Sequence, residues 1–116
     1  MKIYLAGPMR GILDYNFPAF NREADRLRAL GHDVFNPAEE ESGPPAPGQH
    51  LPMVRYMRKD LPVVMASDAV VLLPGSSQST GATMEVVVAA GCGIPLLKAG
   101  TLEPVQAPHV EWLQEV

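Results

Sequence analysis

Ala69-Val70-Val71-Leu72-Leu73-Pro74-Gly75-Ser76-Ser77-Gln78-Ser79-Thr80-Gly81-Ala82-Thr83-Met84-Glu85 is the stretch whose reading decides the fold. Its first five residues form the most hydrophobic run in the chain and read as a strand buried on both faces. A loop of small residues follows. A second apolar run, Val86-Val87-Val88-Ala89-Ala90, then continues to Gly91 and reads as a helix. Strand, small-residue loop and helix start together bring free backbone N–H groups, two hydroxyls and a carboxylate to the mouth of a sheet. A helix N-terminus favours anions through those N–H groups and its dipole. Glu85 falls about one turn into the helix, still near that positive end. Ser79 or Thr80 as a simple N-cap, with Glu85 as a first-turn acid, accounts for the same residues. The stretch taken alone leaves both readings open.

Upstream, Lys2-Ile3-Tyr4-Leu5-Ala6 reads as a first strand, central and parallel because nearly every residue is apolar. Gly7-Pro8-Met9-Arg10-Gly11 makes a tight loop at its carboxyl end. Gly7 and Gly11 let backbone N–H groups approach a ligand closely, and Arg10 brings a fork of donors suited to phosphate or carboxylate. A plain turn with a solvated Arg is the competing reading. Asn16 is an N-cap candidate for a helix in which Phe17, Phe20, Ala24, Leu27 and Leu30 fall near helical spacing, with Gly31 as its stop. The phenylalanines read as core. His32 to Pro37 reads as a second strand, completing a βαβ unit.

From Ala38 to Gln49 the chain carries Glu39-Glu40-Glu41 and a Pro/Gly-rich segment spanning residues 42 to 52, which suits no regular element and reads as a mobile lid or irregular loop. The three acids read as a solvated edge, because they lack metal-ligand spacing. Leu51 to Met57 starts a helix with Pro52 in its first turn, and Pro62 predicts a break near Asp60, which would cap a second piece running to about Ala66. Asp68 precedes the central strand, as a turn residue or a functional acid. Ile94 to Leu97 reads as a fourth strand, with Pro95 marking an edge position or a strand start. Val110, Trp112 and Leu113 suggest a last short helix.

The 116 residues fit one domain, residues 1–116, with one core. The net charge of −4 argues against a nucleic-acid polymer as partner, since backbone binding needs a basic face. Cys92 is the only cysteine, so no intrachain disulfide exists and a reducing compartment is expected. No apolar run reaches membrane-spanning length and the start reads as a strand, so a cytoplasmic location is expected.

In an open parallel sheet, ligands bind outside the carboxyl ends of the strands, at a switch in strand order. If strands one and three are neighbours, the loops at 7–11 and 74–81 rise at the same end, and Glu85, Arg10, Ser79 and the N–H groups near Gly81 face one cleft. Glycine loops with Arg suit a phosphate, and an unpaired carboxylate suits a nucleophile or base. That set fits cleavage of a glycosidic bond through an oxocarbenium-like transition state. The loop lacks the Gly-Lys-Ser/Thr ending of a Walker A motif and is not a full dinucleotide fingerprint, so no cofactor and no metal is expected.

Tyr4-Leu5-Ala6-Gly7-Pro8-Met9-Arg10-Gly11, Asp68-Ala69-Val70-Val71-Leu72-Leu73-Pro74-Gly75 and Ser79-x-Gly81-x-x-x-Glu85 together resemble the nucleoside 2-deoxyribosyltransferase superfamily. The resemblance spans about residues 2 to 98 and runs to the DUF4406 group and to the 2'-deoxynucleoside 5'-phosphate N-hydrolases. It implies a flavodoxin-like (Rossmann-like) α/β sandwich, a mostly parallel sheet of four or five strands flanked by helices, assembled as a homodimer or larger. It implies a small nucleoside or nucleotide as substrate. By motif position, Glu85 matches the family's catalytic nucleophile, Asp68 an acid implicated in catalysis, and Tyr4 a tyrosine near the nucleophile. Gly7, Arg10, Ser79 and Gly81 match positions that hold the 5'-phosphate in the hydrolase branch. Pro8 stands where that branch has a hydroxyl residue, which removes one phosphate donor. A nucleotide-binding or sensing module without chemistry is the alternative on the same fold, and an assembly protein using only the fold is a third.

Overall fold

Strand β1 (Lys2–Ala6) occupies the middle of the molecule, and its alternation builds two cores at once. Ile3 and Leu5 point to one face of the sheet, Tyr4 and Ala6 to the other, as the two-residue period of a strand requires. The structure, a computed structural model, describes residues 1–41, 43–49 and 52–106. Helix α1 (Phe17–Ala29) covers the first face, packing Phe17, Phe20, Ala24 and Leu27 on Ile3, Leu5, Val34 and Val71. Helices α2 (Met53–Met65) and α3 (Thr80–Gly91) cover the second, where Val64, Val86 and Ala89 meet Tyr4, Ala6, Val70 and Leu96. Each large apolar side chain buried this way contributes about 1.5–3 kcal/mol, so two thin cores hold the sheet from both sides.

The remaining strands are β2 (Asp33–Phe35), β3 (Ala69–Leu72) and β4 (Leu96–Lys98), in the spatial order β2-β1-β3-β4, all parallel. Tyr4 lies opposite Phe35 on one side and Val70 on the other. This is the strand order of a flavodoxin-like sheet, and four strands are present among the described residues. The order reverses between β1 and β3, so a crevice opens above their carboxyl ends. β4 forms the far edge, in keeping with Pro95 just before it, and Pro104 folds back antiparallel against Leu97. Glu23 on α1 fastens the intervening turn by accepting from the Gly100 N–H at 2.9 Å while also pairing with Arg26.

Local departures from the sequence-based expectations have identifiable causes. Asn16 precedes α1 but does not cap it through its side chain: it sits at φ 61° and spends its Nδ2 on the Pro8 carbonyl at 2.8 Å. The helix starts instead with Pro18 in its first turn, where a missing N–H is not missed. α2 runs unbroken through Pro62, so Asp60 is not a cap. Pro62 stands close to the carboxyl end, where only one ladder bond is lost and packing of Val64 against the sheet offsets it. The acids at 39–41 are not merely solvated. They pair with bases on two different helices, Glu39 with Arg28, Glu40 with Lys59 and Glu41 with Arg55, at 2.6, 3.5 and 2.9 Å. A short 3-10 turn, Pro37–Glu40, presents them, anchored by the Asn36 side chain accepting from the Ala38 N–H. Exposed pairs of this kind add little stability individually; their effect is to tie the segment after β2 to α1 and α2. The fourth strand is Leu96–Lys98 rather than 94–97, because Ile94 still donates to Ala89 in the helix-ending turn. The expected last helix at residues 110–113 lies outside the described residues.

Candidate active site

The cleft at the β1/β3 switch is assembled by two loops that touch. A Cβ built on Gly7 would stand 2.8 Å from Leu73 Cβ, and one on Gly75 would stand 3.3 Å from Pro8 Cγ. Gly7 is therefore required for the close approach of the loop after β1 to the end of β3, and Gly75, at φ 86°, for the turn that follows it. Leu73 N–H donates to the Ala6 carbonyl at 2.8 Å, extending the β1–β3 pairing to the cleft floor.

Between these loops, α2 and the start of α3 lies a cavity of about 270 Å³. Tyr4 reaches it from β1 because even positions on that strand face α2 and α3. Its ring stacks on Phe35 with centroids 5.5 Å apart, which fixes the direction of the hydroxyl. That hydroxyl donates to Oε2 of Glu85, which projects from the second turn of α3. Glu85 is 6% exposed, and burial raises its carboxyl pKa to about 8, against the Tyr4 hydrogen bond, which lowers it, and with the charge of Asp60, which raises it further. Asp60, 3% exposed on α2, is pushed up to about 6, chiefly by burial, while Tyr4 and Lys59 pull it down. Burial and the two carboxyls together hold the Tyr4 phenol well above its ordinary pKa, so it remains a donor. A neutral phenol thus stands between two buried acids with separated pKa values, the arrangement from which acid and base roles are assigned.

Arg10 also lines the cavity, together with Gly7, Pro8, Ser79, Thr80 and Gly81. Ser79 is the N-cap of α3, its Oγ accepting from the Ala82 N–H at 3.1 Å. The capping reading of Ser79 is therefore met, and the helix start that it orders lines the cavity.

Of the residues singled out from sequence, Tyr4, Gly7, Arg10, Ser79, Gly81 and Glu85 line one cavity. Asp68 does not. Its Oδ2 accepts from the Lys2 N–H at 2.8 Å and its own N–H donates to the Lys2 carbonyl at 2.7 Å, so it lies at the amino end of β1, the opposite end of the sheet. A residue immediately before a parallel strand has to fall there. Gly11 is also outside the lining; at φ 80° it makes the turn that follows Arg10. The aspartate that does line the cavity is Asp60. Met53, Tyr56, Met57 and Asp60 recur at i, i+3, i+4 and i+7 along α2 and all line the cavity. A carboxylate on the same stripe as two methionines and Val64 was the available signal, obscured by reading Pro62 as a break.

Among the described residues no group of His, Cys, Asp and Glu is arranged to hold a metal ion, and no helix is long and apolar enough to cross a membrane.

Residues 1–98 match the family described as Domain of unknown function (DUF4406). Among solved structures, the chain is similar to a 2-deoxyribosyltransferase from the psychrotolerant bacterium Bacillus psychrosaccharolyticus, at 24% identity and a TM-score of 0.64, over 89% of this chain and 77% of that one. It is also similar to a conserved protein from Enterococcus faecalis V583, at 28% identity and a TM-score of 0.62, over 84% of this chain and 62% of that one. A comparison with curated proteins gives no significant match. The matched span runs from β1 to the end of β4 and takes in every cavity residue named above, so the chain belongs to the DUF4406 family and carries the flavodoxin-like fold of the nucleoside 2-deoxyribosyltransferases.

Proposed function

We propose that the protein cleaves or exchanges the N-glycosidic bond of a nucleoside or deoxynucleoside, or of its 5'-monophosphate, with Glu85 as the nucleophile. The observation that carries this reading is the Tyr4–Glu85 hydrogen bond in a cavity that Arg10 and the start of α3 also line. A carboxylate, an arginine and a helix start lining one cavity suit a ligand that has both an electrophilic sugar carbon and an anionic group. The likeness to a 2-deoxyribosyltransferase supports the same reaction class.

In this reading the ionised Glu85 attacks the anomeric carbon, or stabilises it as the bond to the base lengthens. The C–N bonding pair leaves with the base, and Asp60 supplies the proton the departing nitrogen takes up. Water or a second base then takes the sugar from Glu85. Tyr4 holds the carboxylate in line and offsets part of its charge. Protonated Asp60 is accessible because burial places its pKa at about 6. No cofactor enters these steps.

Incubation with a panel of nucleosides and their monophosphates, followed by chromatography for free base, tests the reading. Base release by the wild type and none by E85A at equal folded content is the expected result. Release at an unchanged rate by E85A sinks it. Binding of a nucleotide with no base release by either protein favours the sensing module instead.

A further inference from the structure

Three of the four non-glycine residues at positive φ among the described residues are consecutive, Asp14, Tyr15 and Asn16, at 53°, 55° and 61°, so left-handed strain is concentrated in one turn. Left-handed backbone crowds a Cβ against the following carbonyl, least harmfully for Asn and Asp and more so for an aromatic residue such as Tyr15. Such a run persists only where its surroundings hold it. Two contacts do so here. The Tyr15 ring is buried edge-on to Phe17, with centroids 6.2 Å apart, and lines the cavity. Asn16 Nδ2 donates to the Pro8 carbonyl at 2.8 Å. A carbonyl only accepts, so the amide nitrogen and not its oxygen has to face it.

Asn16 stands directly before α1, where an Asn ordinarily stabilises its helix by capping it, yet its side chain makes no cap bond. Ser79, in the same place before α3, does cap. The Asn16 amide goes instead to the loop after β1, of which Pro8, Met9 and Arg10 line the cavity. Pro8 is enclosed from another direction by the turn after β3, where a Cβ on Gly75 would stand 3.3 Å from Pro8 Cγ. The loop is thus held both by packing and by one directional hydrogen bond. Asn16 itself does not line the cavity. A helix cap forgone and a left-handed turn retained, both in favour of one loop of a cleft, is the pattern of a constraint set by the site rather than by helix stability.

We propose that Asn16 is a positioning residue: its amide fixes the Pro8–Met9–Arg10 wall against which the ligand binds, while touching neither the ligand nor the Glu85 carboxylate. This rests on the reading of the cavity as a nucleoside or nucleotide site.

N16D and N16G test it, by calorimetry and base release with the same panel of nucleosides and monophosphates. Asp and Gly both accept the left-handed turn, and at neutral pH neither side chain donates to Pro8. Each variant is expected to bind roughly 3- to 10-fold more weakly, the worth of one neutral hydrogen bond. KM should rise by the same factor with kcat within about 2-fold of wild type, because only binding is touched. Unchanged Kd and KM in both variants overturns the role of Asn16 and leaves the nucleoside reading standing. A fall in kcat at constant KM overturns it as well, and so does a loss that merely tracks the folded fraction in a thermal melt. Nucleotide binding without base release by the wild type removes the reaction but not the role of Asn16, which the Kd series then decides. A wild type that neither binds a nucleoside or nucleotide nor releases base removes both readings together.

Discussion

The hydroxyl of Tyr4 donates to the carboxylate of Glu85 across 81 residues of sequence, and this bond joins the central strand to the helix that borders the cleft. Tyr4 is fully buried and its ring direction is set by Phe35, so the Glu85 carboxylate is held from the sheet rather than from solvent. The consequences are electrostatic first. Both cavity acids are removed from the ordinary carboxylate range, by different amounts.

Reaction by an ionised Glu85 with a protonated Asp60 requires the less favoured protonation state of each. With values of about 8 and about 6, roughly one per cent of the protein holds that combination at pH 7. The kcat/KM for base release should follow a bell with limbs near pH 6 and pH 8, belonging to the pair rather than to either residue. D60N should lower the rate about 10²- to 10⁴-fold and convert the bell into a rise that levels off above pH 8. A pH–rate series on both proteins checks this; an unchanged bell in D60N removes Asp60 from the reaction.

Stability should depend on pH through Glu85 with a definite sign. Its pKa is about 8 in the folded protein and 4.5 ordinarily, so the folded state holds the proton more tightly than the unfolded chain. Ionisation of the unfolded chain begins first as pH rises, and stability falls across the window from pH 4.5 to 8. E85Q keeps an acceptor for Tyr4 and has no charge to bury. It should match the wild type below pH 4.5 and exceed it above pH 8 by on the order of a few kcal/mol. Urea denaturation at pH 4 and pH 9 reads the difference; an equal margin at both pH values contradicts it.

The two glycines of the cleft should respond oppositely to a methyl group. Gly7→Ala drives a Cβ to 2.8 Å from Leu73 Cβ, where something must shift, at a cost of about 1–3 kcal/mol and with displacement of the Arg10 loop. Gly81→Ala meets only ordinary contacts with Met53 and Met57 at 3.8 Å and lies inside α3. It should gain up to about 1 kcal/mol of helix stability while weakening ligand binding by narrowing the cavity. Thermal melts beside nucleotide titrations distinguish the pair; a G7A protein as stable as wild type would refute the packing argument.

Asp68 provides the control. Removing its carboxylate orphans the Lys2 N–H at the far end of the sheet. D68A should lower stability by about 1 kcal/mol and leave kcat/KM for base release within about 2-fold of wild type. Loss of activity at full folded content would return Asp68 to the site.

Much of the site was legible in the chain because both cleft loops are local features. A glycine loop after an apolar run and a small-residue loop before a helix declare themselves by composition, and Gly7, Arg10, Ser79, Gly81 and Glu85 followed from them. Asp60 and Tyr56 stand in mid-helix, where nothing local marks a cavity. Their signal is shared phase with Met53 and Met57, and Pro62 concealed that phase by suggesting that the helix stops. Pro62 is tolerated near the end of α2, where the packing of Val64 outweighs the one bond lost.

Sequence alone determined the alternation of strand and helix, the buried character of β1 and β3, and the two loops that carry the cleft, because hydrophobic period and turn chemistry act over a few residues. Only the tertiary structure decided which acids share the cleft. A strand in a parallel sheet has two ends about 15 Å apart, and whether a carboxylate stands at one or the other depends on strand order and helix phase. Asp68, adjacent in sequence to β3, was carried to the amino end of the sheet, away from the cavity, while Asp60, a helix away, was brought to the Tyr4 hydroxyl.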